Sequence, residues 1–182
     1  MINLRRVFRG AEYFFEGITG SLLERPAKVE ERKKREQLSE KAEAALKQVA
    51  EPFLLTVRSR PELPERISGG VKFYARVLTW LCRRSFLLAR LWGRIPLRCY
   101  PDAGVATLVY RKLYPGKQQK DLCLPRAFFA RSASRNFKES GAMFIGAFLP
   151  SVQMHAWVIE DGMHADVFDN GWIDYAPVAV FE

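Results

Sequence analysis

With 182 residues, 48% of them hydrophobic and 13% aromatic, the chain can bury one sizeable core, or a small domain with an extension, but not two large domains. The composition is not that of a disordered protein, and the start "MINLRRVFRGAEYF" has early arginines with no apolar run behind them, so no secretory signal is expected. The net charge of +9 is unevenly placed: residues 61–120 hold 12 Lys+Arg and 3 Asp+Glu, whereas residues 121–182 hold 4 and 8. No spanning helix is expected either. Cys82, Cys99 and Cys123 are odd in number and widely spaced, which fits neither a disulfide framework nor a zinc site. A cytoplasmic protein with free thiols, and with no metal or cofactor, is the expectation.

In chain order, residues 3–24 carry Phe8, Tyr13, Phe14 and Phe15, interrupted by Gly17 and Gly20, and are expected to form a helix with an aromatic face. After Pro26, "KVEERKKREQLSEKAEAALKQVA" is rich in helix formers and in Glu/Lys pairs three or four apart, a solvated helix closed by Pro52. "RSRPELPERISGG" has three breakers and no apolar period, and reads as a linker. From Val71, the residues Val71, Tyr74, Leu78, Leu81, Leu88 and Trp92 fall near one stripe, with arginines interspersed. The pattern predicts an amphipathic basic helix, or two helices broken near Ser85. Its apolar stripe is core in the plain reading; the alternative is a helix lying on an anionic membrane surface. "PLRCYPDAG" is a loop, "VATLVYRKLY" an element of open type, and "PGKQQKD" a turn.

In the last third, "LCLPRAFFARSASRNF" predicts a helix entered through Leu122 and Cys123, with Pro125 tolerated in the first turn. "GAMFIGAFLP" is an apolar strand. "MHAWVIE", the turn "DG" and "MHADVFD" form a hairpin, since Asp-Gly between apolar runs is a strong hairpin signal. "WIDYAPVAVF" supplies one or two closing strands. The expected fold is therefore α+β: a helical N-terminal region over residues 1–60, then a domain over 61–182 with a helix on a small antiparallel sheet.

The chain's two histidines, His155 and His164, both lie in that hairpin. A reactive cysteine needs a lowered pKa, which a helix N-terminus and a nearby imidazole both provide. Cys82 sits inside the amphipathic helix and Cys99 in a loop; Cys123 alone sits at a helix start. If Asp161 and Gly162 form a two-residue turn, His155 faces Phe168, Trp157 faces Asp166 and His164 pairs with Ile159. His155 and Asp166 then share a face as diagonal neighbours, with Asp169 on the other face unless a bulge intervenes. His155, deeper in the sheet, is the expected base, His164 is incidental, and Asp166, with Asp169 in reserve, is the acid that orients the imidazole. Trp157 is expected to shield the pair. Buried cysteine is usually inert, so a structural Cys123 stays as the alternative.

The order of helix cysteine, strand histidine and strand aspartate is that of papain-like and transglutaminase-like enzymes. "CLPRAFFARSASRNF", "GAMFIGAFLP" and "HAWVIEDGMHAD" further resemble the transglutaminase-like cysteine peptidase domain of lasso-peptide biosynthesis B proteins, over about residues 71–182. The resemblance implies a papain/transglutaminase-like core with Cys123 as nucleophile, His155 as base and Asp166 as orienting acid. It implies a leader peptidase acting on a ribosomally made precursor peptide, with a separate leader-recognition protein and a separate ATP-dependent cyclase. The His–Asp spacing is one residue shorter than is usual in that family, and residues 1–52 do not read as its strand-rich leader-binding module. A non-catalytic scaffold of the same fold, or an amide or acyl transferase using the same triad, are the other readings. The basic middle is expected to meet an acidic precursor or partner protein, or a membrane surface peripherally, and no nucleic acid is expected because no nucleic-acid-binding motif accompanies the charge.

Overall fold

The computed structural model describes residues 1–4, 6–8, 11–26, 63–116, 121–148, 153–166, 168 and 174–182. The charged helix expected after Pro26, most of the turn at 115–121, and Asp169 lie outside the described residues, as do residues 58–62 of the expected linker. The described elements form an α+β arrangement of helices and antiparallel sheet.

Strands β1 (Ile2–Asn3), β2 (Arg6–Phe8), β3 (Ala11–Phe15) and β4 (Leu22–Pro26) occupy the start of the chain. This corrects the helix expected over residues 3–24. The glycines that interrupt the aromatic series belong to a turn: Gly20 N–H donates to Glu16 O, Glu16 N–H to Ser21 O, and Gly20 has φ 76°. A left-handed residue of that kind favours glycine. Tyr13 and Phe15 are both buried, two residues apart, which is strand and not helix periodicity. β2, β3 and β4 make one three-stranded sheet, with Phe15 opposite Leu22. β1 instead joins the C-terminal sheet, pairing Ile2 with Val180, and the Phe15 ring meets the Phe86 ring edge-on at 5.2 Å. The described N-terminal residues are thus strand-rich and built into the core of the later part. The contrast with a strand-rich module does not hold for them.

Helix α1 (Gly69–Arg84) starts at Ser68, whose hydroxyl accepts from Val71 N–H, and it stops at Ser85. Ser85 serves both sides of the break: its N–H donates to Leu81 O, and its hydroxyl caps helix α2 (Phe86–Trp92) by accepting from Leu88 N–H. The expected break near Ser85 is where the helix divides. Val71, Tyr74, Leu78 and Leu81 are buried, whereas Leu88, beyond the break, is half exposed, because α2 no longer follows α1's stripe. Helix α3 (Ala103–Leu113) is capped by the Asp102 carboxylate on Val105 N–H and is buried from Ala103 to Tyr110. Helix α4 (Cys123–Ala133) begins at the predicted cysteine, and the short helix α5 (Phe137–Ser140) leads into the sheet.

The second sheet has the order β1-β8-β5-β6-β7, with β5 (Gly141–Phe148), β6 (Gln153–Glu160), β7 (Met163–His164) and β8 (Ala176–Phe181). All its pairings are antiparallel. Asp161 and Gly162, at φ 51° and 72°, form the two-residue turn, and Ile159 pairs with His164, the register the sequence predicts. One sheet face carries Ala142, Phe144, Trp157, Ile159 and Val180. The other carries Met143, Ile145, Ala156, Val158 and Phe181 and belongs to the main core with Phe128 and Phe129 of α4.

Candidate active site

Cys123 is the first residue of α4. Leu122 ahead of it offers no capping side chain, so the helix presents the amides of its first turn, Pro125 having none, with the positive end of its dipole, beside the sulfur. The thiol hydrogen-bonds the His155 ring and accepts from Ala156 N–H. Burial pushes the thiol's pKa up, but the bond to His155, the imidazole's charge, the Ala156 amide and Arg126 outweigh it, and the net shift is downward. The other two cysteines go the opposite way. Burial and the nearby Cys123 sulfur push Cys82 up to about 12, and burial raises Cys99. Among the three, the structure gives only Cys123 an imidazole.

Position 155 is opposite Gly146 in the β5–β6 ladder. The imidazole is stacked against the Trp157 ring at 5.9 Å and 16°, and tilted on Tyr175 at 5.2 Å. Trp157 in turn stacks on Phe144 at 5.6 Å. The space for the indole exists because residue 146 is glycine: a Cβ there would lie 2.6 Å from Trp157 Cη2 and 2.9 Å from Tyr175 Cβ. The imidazole is therefore seated in an aromatic clamp whose floor is a missing side chain.

The helix and the histidine take opposite faces of the sheet. Helix α4 packs on the side of Ala156 and Val158, whereas His155 lies with Trp157, whose face is the other one. Cysteine and histidine meet at the edge of β6 instead. Val158 O accepts from Ala165 N–H, and Ala156 N–H reaches the Cys123 sulfur, so the even-numbered residues turn their backbone groups to that outer edge. α4 brings its first residue to this edge, within reach of an imidazole from the far face.

Asp166 departs from the strand. The β6–β7 pairing ends at His164, and the Asp166 carboxylate turns to the helices. Arg111 of α3 grips it with Nε at 2.9 Å from Oδ1 and Nη2 at 2.7 Å from Oδ2, Arg126 of α4 places Nε 2.8 Å from Oδ2, and Phe168 N–H donates to Oδ1. Asp166 and Arg126 are both buried, at 6% and 4% exposure. A water-sized cavity lined by Thr107, Arg126, Ala156, Trp157 and Asp166 adjoins them. The carboxylate expected on the imidazole thus neutralises Arg126, three residues along the helix from Cys123. His164 has a local job: its Nδ1 accepts from Asp166 N–H at 3.1 Å, shaping the strand end.

Several residues here escape sequence reasoning. Arg126 is the one charge inside "CLPRAFFA", and a lone arginine in an apolar helix signals a buried partner. Gly146 inside an apolar strand signals close approach of another group. Glu160, 2% exposed, ends β6 by accepting from Ala103 N–H at 2.7 Å and from the Ser134 hydroxyl, which ties the start of α3 to the end of α4.

No known family model matches the chain, and no curated protein and no solved structure matches it either. Among the described residues, no helix is long and apolar enough to cross a membrane, and no group of three or more His, Cys, Asp or Glu is placed to hold a metal ion.

Proposed function

We propose that the chain is a cysteine peptidase of papain/transglutaminase-like architecture that removes the leader from a ribosomally made precursor peptide, as in lasso-peptide maturation. The observation that carries it is the Cys123–His155 contact at a helix N-terminus, with the thiol's pKa held below its ordinary value. The Cys123 thiolate attacks the carbonyl carbon of the leader–core bond, and the N–H of Cys123 at the open helix end donates to the oxyanion. His155 delivers its proton to the leaving amine, then takes one from the water that hydrolyses the thioester. Asp166 fixes Arg126 beside the nucleophile, and Asp166, with Asp169 in reserve, is the acid that orients the imidazole. Leader recognition and ATP-dependent ring closure belong to separate chains.

The test is incubation of the purified chain with the precursor peptide encoded beside it and its leader-recognition protein, followed by mass spectrometry. Cleavage at one junction, lost in Cys123→Ser and in His155→Ala, is the expected result. An intact precursor under conditions where Cys123 is demonstrably thiolate would leave the fold as a binding scaffold. Added amines appearing in the product would make the reaction acyl transfer.

A further inference from the structure

Between Glu65 and Asp102 the chain has no acidic residue and eight basic ones, seven of them arginine. The structure distributes this stretch over α1, α2 and the loop that follows, and it leaves large apolar side chains on the outside. Phe73 is 62% and Trp80 58% exposed. They are seven residues apart on α1, two helical turns, so they stand on one line of the helix surface. By the same period Lys72, Arg76 and Arg83, all exposed, run along one flank of that line, and Arg84 stands on the other. Leu87, Leu88 and Leu91, 38–50% exposed, are further large apolar side chains on the surface of α2. Arg90 is turned inward, with Nη1 at 3.3 Å from Gly17 O and its guanidinium over Phe181, so it is not part of this face.

We propose that this face is a peripheral docking surface for an anionic phospholipid bilayer. Helix α1 would lie in the plane of the interface, with Phe73 and Trp80 at headgroup depth and its flanking arginines on the lipid phosphates. Three features select lipid. Lys72, Arg76, Arg83 and Arg84 on α1, in a stretch without a single acidic residue, need a partner that is anionic over a wide area, which a bilayer of acidic lipids provides and a single acidic loop does not. Arginine forks match phosphodiester oxygens two at a time. The exposed apolar groups stand singly among cations, an arrangement suited to a fluid interface, where aromatic rings settle without a shaped pocket. The proposal is independent of the peptidase reading.

Co-sedimentation of the full chain with vesicles tests it. Binding to mixed phosphatidylglycerol–phosphatidylcholine vesicles should exceed binding to phosphatidylcholine alone at least tenfold and weaken as salt is raised. The pair Phe73→Ser/Trp80→Ser and the pair Arg76→Glu/Arg83→Glu should each reduce it about tenfold. These positions are exposed, so circular dichroism should be unchanged. A blue shift of tryptophan emission on binding should disappear in Trp80→Phe. Equal binding to both vesicle types, or anionic binding untouched by either pair, overturns the proposal. Binding to polyglutamate with none to vesicles overturns it in favour of an acidic protein, and a concentration-dependent dimer abolished by the same pairs overturns it in favour of a second copy of the chain.

Discussion

Gly146 leaves open the volume that the Trp157 indole fills: a Cβ on residue 146 would stand 2.6 Å from Cη2 and 2.7 Å from Cζ3 of that ring. The indole stacks on the imidazole of His155, so the glycine acts on that ring through one intermediary. Gly146→Ala should leave the protein folded but strained, since overpacking of this kind costs about 1–3 kcal/mol. Peptide cleavage should fall by roughly tenfold or more, because displacements of about 1 Å in a catalytic group are costly. The alkylation pH profile of Cys123 should move upward as well, a change that lost stability alone would not produce. Wild-type activity together with an unmoved profile would show that the clamp does not set the imidazole.

The three thiols provide a second test. Cys123 is held below its ordinary value, Cys99 is raised, and Cys82 is pushed up to about 12. Only the thiolate is nucleophilic, so near pH 7 iodoacetamide should label Cys123 fastest, with peptide mapping separating the sites. In His155→Ala the hydrogen bond and charge that oppose burial are removed, and the Cys123 profile should shift above that of an ordinary thiol. Equal, slow labelling of all three in the wild type would sink the nucleophile assignment.

Asp166 separates structure from chemistry. It is buried between Arg111 and Arg126, so Asp166→Asn leaves Arg126 without its countercharge in the core. Breaking one side of a buried pair costs about 3–5 kcal/mol, and thermal unfolding should show a large fall in Tm. Asp169→Asn should lower kcat if Asp169 orients the imidazole. His164→Ala should retain most activity, with a small loss of stability from the missing bond to Asp166 N–H. A stable Asp166→Asn protein with abolished turnover would instead return Asp166 to the imidazole.

What the sequence revealed was local. The helix beginning at Cys123, the break at Ser85, the Asp-Gly turn and the pairing of Ile159 with His164 depend on neighbours a few residues apart. Residues 3–24 misled because their aromatic residues and glycines suit a hairpin as well as an interrupted helix, and the choice is made by β8 and Phe86, far along the chain. The Asp166 cluster was hidden for the same reason: Arg111 is 55 residues away, on an element whose type the sequence left open. Parity holds for Ile159 and His164, but the pairing ends there, so it places neither Asp166, nor the face that α4 covers, nor the meeting of thiol and imidazole at the strand edge.

Glu160 offers a test that involves no substrate. Burial raises its pKa, while the bonds from the Ser134 hydroxyl and Ala103 N–H pull it partly back. A raised carboxyl pKa means that the folded state binds more protons than the unfolded one between the ordinary value of 4.5 and the folded value. Stability contributed by this group is therefore greatest below 4.5, falls through that window as pH rises, and is constant above it. Glu160→Gln keeps an oxygen to accept from Ala103 N–H and cannot ionise. Measured side by side from pH 3.5 to pH 7, the variant should gain on the wild type as pH rises and then hold a constant lead or a constant deficit. For a domain of this size each kcal/mol of gain moves Tm by roughly 2–4 °C. A difference that is flat across the range, or that runs the other way, would mean that Glu160 is comfortably ionised where it sits, with the amide and hydroxyl fully offsetting its burial.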